Sequence, residues 1–156
     1  MNYDAFFQIS YGLYIISSKK GNAINGFVCN TAFQVTAEPA TIAISVNKNN
    51  LTHEFIEDCG YFAISVLGQK ADKEIIQRFG YQSGRDIDKF ENLNWQNSDS
   101  GLPVLMDVST AVFECKVINK FSVGTHTIFV AEILSAEKLD STDLPLTYDY
   151  YRKVFK

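Results

Sequence analysis

Apolar and polar residues alternate with period two along much of this chain, and that alternation limits its fold more than any other feature. In residues 41–47, Ile42, Ile44 and Val46 fall on one face and Thr41, Ala43, Ser45 and Asn47 on the other, as in a strand with one face buried. Residues 61–67 group Phe62, Ile64 and Val66, and residues 13–18 make a further candidate strand. Two longer strands are expected over residues 111–121 and 125–134, joined as a hairpin by Ser122, Val123 and Gly124. Helical spacing interrupts the strands twice. Leu51, Phe55, Ile56 and Cys59 share one helical face ahead of Gly60; Ala71, Ile75, Ile76 and Phe79 repeat the spacing ahead of Gly80. Each glycine is a natural left-handed stop. A short helix over residues 4–11 is expected before Gly12. Many strands and few short helices predict a mainly β chain, a small β-barrel with helical decoration, rather than a parallel α/β sheet.

The 156 residues make one domain, 1–156, because dividing them would leave neither half a proper core. The net charge of −4 is spread along the chain, and no basic block exceeds the Lys19-Lys20 pair. That excludes the clustered basic stripe of a nucleic-acid binder. No apolar run approaches the roughly 18 residues of a membrane span, and Asn2, Asp4 and Gln8 break up any signal-peptide pattern at the N-terminus. Cys29, Cys59 and Cys115 are far apart and odd in number, so no metal site is readable. Free thiols fit a reducing compartment, and a cytoplasmic location is expected.

Residues 26–53, GFVCNTAFQVTAEPATIAISVNKNNLTH, carry the chemistry. No acidic residue lies between Glu38 and Glu54. Within that gap a strand runs into Asn47-Lys48-Asn49-Asn50-Leu51-Thr52, where a helix begins. A helix N-terminus favours an anion; Asn50 would cap it, and Thr52 and Lys48 would add a hydroxyl and a cation for a phosphate. An ordinary surface helix capped by Asn50 has the same pattern. The preceding segment, read as a loop from Asn25-Gly26 through Asn30-Thr31 to Gln34 and Thr36, is rich in amides and hydroxyls. Such groups suit a ring with a mixed hydrogen-bonding edge, and equally suit a polar turn satisfying its own backbone.

The stretch GFVCNTAFQVTAEPATIAISVNKNNLTHEFIE, followed in order by RFGYQSGRDIDKF, GTHTIFVAEI and LTYDYY, resembles the flavin reductase-like family. It is most similar to the flavoprotein domain of high-molecular-weight rubredoxins. The resemblance implies an FMN-binding split β-barrel. It puts the flavin ring against Val28, Cys29, Asn30, Thr31 and Ala32, with Gln34, Val35 and Thr36 continuing along the same edge. It puts the phosphate at Asn50, Leu51 and Thr52 with Lys48 beside them, and makes Lys89 an extra phosphate or ribityl contact or else a solvated surface lysine. His126 falls where the family has a histidine near the flavin and the nicotinamide, the position of a catalytic residue. Two departures stand out: Ala40 replaces the family's usual second proline, and the two cysteine pairs of a rubredoxin module are missing from these residues.

The activity so implied is NAD(P)H-dependent reduction of bound FMN, with electrons leaving to rubredoxin, a flavodiiron-type protein or free flavin. Backbone N–H groups near Asn30 and Thr31 would stabilise negative charge on the reduced ring. A homodimer is expected, with aromatic residues such as Tyr148, Tyr150 and Tyr151 at its interface or in the core. The alternative is a flavoredoxin-like carrier, which binds FMN and takes its electrons from a protein.

Overall fold

The computed structural model describes residues 1–139 and 142–156. The chain opens with a 3-10 helix at Tyr3–Gln8 that buries no residue. It stands in place of the helix expected over residues 4–11, since so short a segment with no surface to pack on cannot meet the cost of α-helix nucleation. Strands β1 (Tyr14–Lys20) and β2 (Ala23–Cys29) pair as a hairpin around Gly21, whose φ is +58°. Strands β3 (Ala32–Ala37) and β4 (Ala40–Asn47) form the next hairpin. Helix α1 (Leu51–Cys59), strand β5 (Tyr61–Leu67) and helix α2 (Lys73–Tyr81) follow. A small ladder of β6 (Gln96–Asn97) and β7 (Pro103–Val104) precedes the long strands β8 (Ser109–Val123) and β9 (His126–Lys138), and helix α3 (Tyr148–Val154) comes last.

Strand β5 and helix α1 match their sequence patterns, and Gly60 closes α1 in the left-handed region at φ +78°. Helix α2 differs. It starts at Lys73 and passes through Gly80, because the backbone continues helically to Tyr81 and the cap is Gln82 in extended conformation. The long hairpin turns at Gly124 and Thr125, between the paired residues Val123 and His126, with Gly124 at φ +54°. The segment read as a loop over residues 25–36 is two strands meeting at Asn30 and Thr31. β3 is an edge strand exposed along most of its length, so no face is selected and no alternation is written into it. In β2, Gly26 looks like a loop signal yet is required by packing: a Cβ there would lie 3.0 Å from the Ile16 carbonyl oxygen and 3.2 Å from the Phe79 ring.

The main sheet runs β2-β1-β5-β8-β9-β4-β3, with antiparallel neighbours throughout. Its two edges, β2 and β3, are consecutive in the chain but not paired, so the barrel is open between them. One core cluster nevertheless joins Phe27 and Cys29 of β2 to Ile42, Ile44 and Val46 of β4, with Ile16, Phe62 and Phe129 between. The sheet therefore curls until its first and last hairpins border the same apolar interior. Register shifts in β8 at Glu114/Cys115 and Val117/Asn119 are bulges of the kind that bend a strand. On the outer face, Leu13 and Ile15 pack with Ile75, Ile76 and Phe79 of α2 and Tyr151 of α3. β1 is thus buried on both faces.

Lys89 ties the segment after α2 to this frame. It is buried, and its ammonium donates to the Gly26 carbonyl at 2.9 Å and to the Phe79 carbonyl at 3.2 Å. Burial lowers its pKa from 10.5 to about 8. Between those values the unfolded chain holds the lysine proton more strongly than the folded one, so this group's contribution to stability rises with pH across that window and is constant below it. Burial pushes the Cys29 and Cys115 thiols up to about 12; they act in the opposite direction above their ordinary value and cancel when two proteins sharing them are compared. Urea midpoints measured from neutral pH to about pH 10 should therefore rise less in Lys89→Met than in the parent. Superimposable profiles would show that the lysine does not titrate in this way.

Candidate functional site

A cleft of about 370 Å³ opens where the end of β2, the β2–β3 turn, β4, the start of α1 and the first residue of β9 converge, with α2 and α3 opposite. Phe27, Val28 and Cys29 line it from β2; Asn30 and Thr31 come from the turn, Ser45 and Asn47 from β4, and Asn50 and His126 from the two neighbouring element starts. The facing wall holds Leu13, Ile76, Gly80 and Tyr81 together with Tyr148, Tyr151 and Lys156. The volume lies within the range of small-molecule sites, about 300–1,000 Å³. Among the described residues no Asp or Glu side chain lines the cleft, although the chain carries a net charge of −4.

The β2–β3 turn is held by its own side chains. The Thr31 N–H donates to Cys29 Sγ at 3.3 Å, and the Thr31 carbonyl accepts from the Cys29 thiol at 3.3 Å and from the Ser45 N–H at 3.2 Å. With its pKa pushed up to about 12 by burial, Cys29 is a protonated donor at neutral pH and no nucleophile. Thr31 Oγ1 donates to Asn30 Oδ1 at 3.0 Å. The Asn30 side-chain NH2 has no protein acceptor among the described residues and is the turn's available donor. Of the backbone N–H groups expected near Asn30 and Thr31, that of Thr31 is engaged by sulfur.

At the start of α1, Asn50 is both cap and cleft wall: its Oδ1 accepts from the Thr52 N–H at 2.9 Å. Leu51 is half-buried in the first turn. Thr52 points the other way. It is fully buried, and its Oγ1 accepts from Asn25 Nδ2 at 2.9 Å. Lys48 is exposed, and its ammonium donates to the Gly124 carbonyl at 2.9 Å and to Ser122 Oγ. Together with the Lys48 N–H on the Thr125 carbonyl at 2.9 Å, this fastens the β8–β9 turn to the end of β4 and sets His126 opposite Asn47. His126 Nδ1 lies 2.8 Å from Thr125 Oγ1.

The structure thus brings Val28, Cys29, Asn30, Thr31, Asn50 and His126 into one cleft. Ala32 starts β3 and packs against the core. Gln34, Val35 and Thr36 lie on the exposed edge strand outside the lining, the Gln34 amide donating to the Thr36 carbonyl at 3.2 Å. Lys89 is neither a surface lysine nor a lining residue; it is spent on backbone carbonyls. Ser45 and Asn47 escaped sequence reading, although the polar face assigned to residues 41–47 already held both. Tyr81 and Lys156 had no such signal, since only the docking of α2 and α3 on the sheet brings them to the cleft. His53, also unmarked by any motif, bonds Thr127 Oγ1 at 2.8 Å, and burial lowers its pKa below the usual range.

The arrangement fits a planar heteroaromatic ligand with an anionic group: apolar walls, an amide donor at a tight turn, and no Asp or Glu side chain among the described residues to repel a negative charge. Comparison with known proteins agrees. The family model described as flavin reductase like domain matches residues 6–155. The chain is 45% identical over 154 residues to a high molecular weight rubredoxin of Moorella thermoacetica, covering 99% of this chain and 67% of that protein. It is 40% identical over 152 residues to a ferric-chelate reductase (NAD(P)H) of Archaeoglobus fulgidus, covering 97% and 89%. The solved NADH:FAD oxidoreductase of Streptomyces globisporus superposes with a TM-score of 0.82 at 23% identity, over 92% of this chain and 84% of that one, a likeness of fold.

The inward turn of Thr52 is open to test. Thr52→Val leaves the buried Asn25 amide without its acceptor and should cost about 1–3 kcal/mol in urea unfolding, whereas Thr52→Ser should keep most of the stability. A valine variant as stable as the parent would mean that the bond contributes nothing.

Proposed function

The chain belongs to the flavin reductase-like domain family, and from that premise we propose that it is an FMN-dependent oxidoreductase taking electrons from NAD(P)H. The observation that carries the proposal is the cleft, lined by no Asp or Glu side chain among the described residues, in which the Asn30–Thr31 turn, the start of α1 and His126 meet. Bound FMN would supply the two-electron acceptor for a nicotinamide hydride. The protein's part is to bind and orient. Val28 and Leu13 offer apolar contact to a ring, and the Asn30 amide offers a donor to its polar edge. The Asn50 amide, the Leu51 N–H and the positive end of the α1 dipole favour an anionic tail, while the Thr52 and His53 N–H groups are bonded to Asn50. His126, fixed by Asn47 and Thr125, stands on the wall where a second ring would enter.

Electrons then leave to a separate acceptor, such as rubredoxin, a flavodiiron-type protein or free flavin; the rubredoxin in the name of the Moorella relative supports the first. Exposed Phe33 and Val35 on the edge strand and Phe121 and Val123 on the β8–β9 arm supply apolar surface for a homodimer. No helix among the described residues is long and apolar enough to cross a membrane. The cysteines are free, as a reducing compartment such as the cytoplasm requires.

Purified protein mixed with FMN should turn yellow and quench flavin fluorescence. Anaerobic NADH or NADPH should then bleach the flavin absorption band within seconds. Persistent colour with both nucleotides would instead mark a carrier reduced by another protein, and no uptake of FMN would defeat the assignment. His126→Ala should slow bleaching while leaving flavin uptake in place; an unchanged rate removes His126 from the reaction.

A further inference from the structure

The two ends of the cleft differ in what they still have to offer an anion. At the start of α1 the side chains are largely spent: Asn50 caps the helix, Thr52 faces Asn25, and Lys48 holds the β8–β9 turn. The opposite wall is less committed. Tyr81 ends α2, with its hydroxyl 3.4 Å from that of Tyr151 on α3. The Lys156 ammonium lies 5.4 Å from the Tyr151 ring centre and 5.7 Å from that of Tyr148. Lys156 forms no salt bridge among the described residues and is the one lysine or arginine lining the cleft there. The neighbouring carboxylate on α3, Asp149, is paired with Lys153 at 2.7 Å.

The two tyrosine hydroxyls share one hydrogen bond in which either can donate. Tyr81 is held below the usual phenol range, first by its hydrogen bond with Tyr151 and then by the positive charges of Lys156 and Lys73. Burial pushes Tyr151 up to about 12. One phenol proton of the pair is used in their mutual hydrogen bond, and the other remains for a ligand. A phenol donor beside an ammonium that lies over two aromatic rings is a pair suited to phosphate oxygens.

We infer that Tyr81 and Lys156, supported by Tyr151, form a subsite that receives a phosphate of a nucleotide bound in this cleft. The inference rests on reading the cleft as a flavin-nucleotide site and adds a second recognition point on the wall opposite the Asn30–Thr31 turn. The phosphate is either the monoester of FMN or a phosphate of the reduced dinucleotide, and the two sources separate by experiment.

FMN and riboflavin are titrated by fluorescence quenching into the parent and into Lys156→Gln, Lys156→Arg and Tyr81→Phe, and KM is measured for NADH and NADPH. If the phosphate is the flavin's, Lys156→Gln weakens FMN roughly tenfold and leaves riboflavin unchanged. If it is the dinucleotide's, both flavins bind as before and the nicotinamide KM rises roughly tenfold. In either case Lys156→Arg restores binding, Tyr81→Phe has a smaller effect in the same direction, and added salt shrinks the difference. An FMN-to-riboflavin ratio and a KM both within about twofold of the parent in Lys156→Gln and Tyr81→Phe overturn the subsite. A parent protein that takes up neither flavin overturns the reading of the cleft itself, a result distinct from unaffected variants of a flavin-binding parent.

Discussion

Everything in this molecule depends on the apolar interior that the curled sheet encloses. Ile16, Ile44, Phe62, Ile64 and Phe129 come from four different strands and are all essentially removed from water. Burial of that surface drives the sheet to curl, because a flat sheet of seven strands would leave one face exposed. Curling brings β2 and β4 to the same interior, while the edges β2 and β3 stay unpaired with each other. The turn between those edges therefore sits at an open lip. A fully closed barrel would have used its backbone groups in the ladder and left no cleft.

The cleft inherits its chemistry from this geometry. The turn satisfies itself through a thiol and a hydroxyl, keeping a fixed shape while presenting one amide outward. Behind it, buried polar links connect elements distant in sequence: Asn25 to Thr52, and Lys89 to Gly26 and Phe79. Among the described residues each buried side-chain nitrogen and oxygen has a partner, as the cost of leaving one unpaired demands. The links join β2 to α1 and to the segment after α2, so the end of β2 is held from both sides. Lys48 does the same for the β8–β9 turn and hence for His126.

The electrostatic character of the site comes from where charge is withheld. The chain is acidic overall, yet the acid-free stretch between Glu38 and Glu54 and the aromatic ends of α2 and α3 surround the cleft. An anion entering there meets amides, phenols, an imidazole and an ammonium. Glu54 is turned outward and paired with Arg85 at 2.5 Å, so the nearest acid in sequence is neutralised at the surface.

Much of this was legible in the sequence. Residues 61–67 and the helix starting at Leu51 stand where their periodicity puts them, because burial on one side imposes a period that local composition must follow. Of the residues singled out between Val28 and Asn50, half reach the cleft. Where a polar side chain points was not legible. Thr52 turns inward because Asn25, twenty-seven positions earlier, needs an acceptor. Lys89 is buried because two backbone carbonyls are open to it, and Tyr81 and Lys156 reach the cleft only because α2 and α3 dock on the sheet. Local pattern records which face is apolar; the partner of each polar group depends on residues that only folding brings together, and that choice belongs to the tertiary structure.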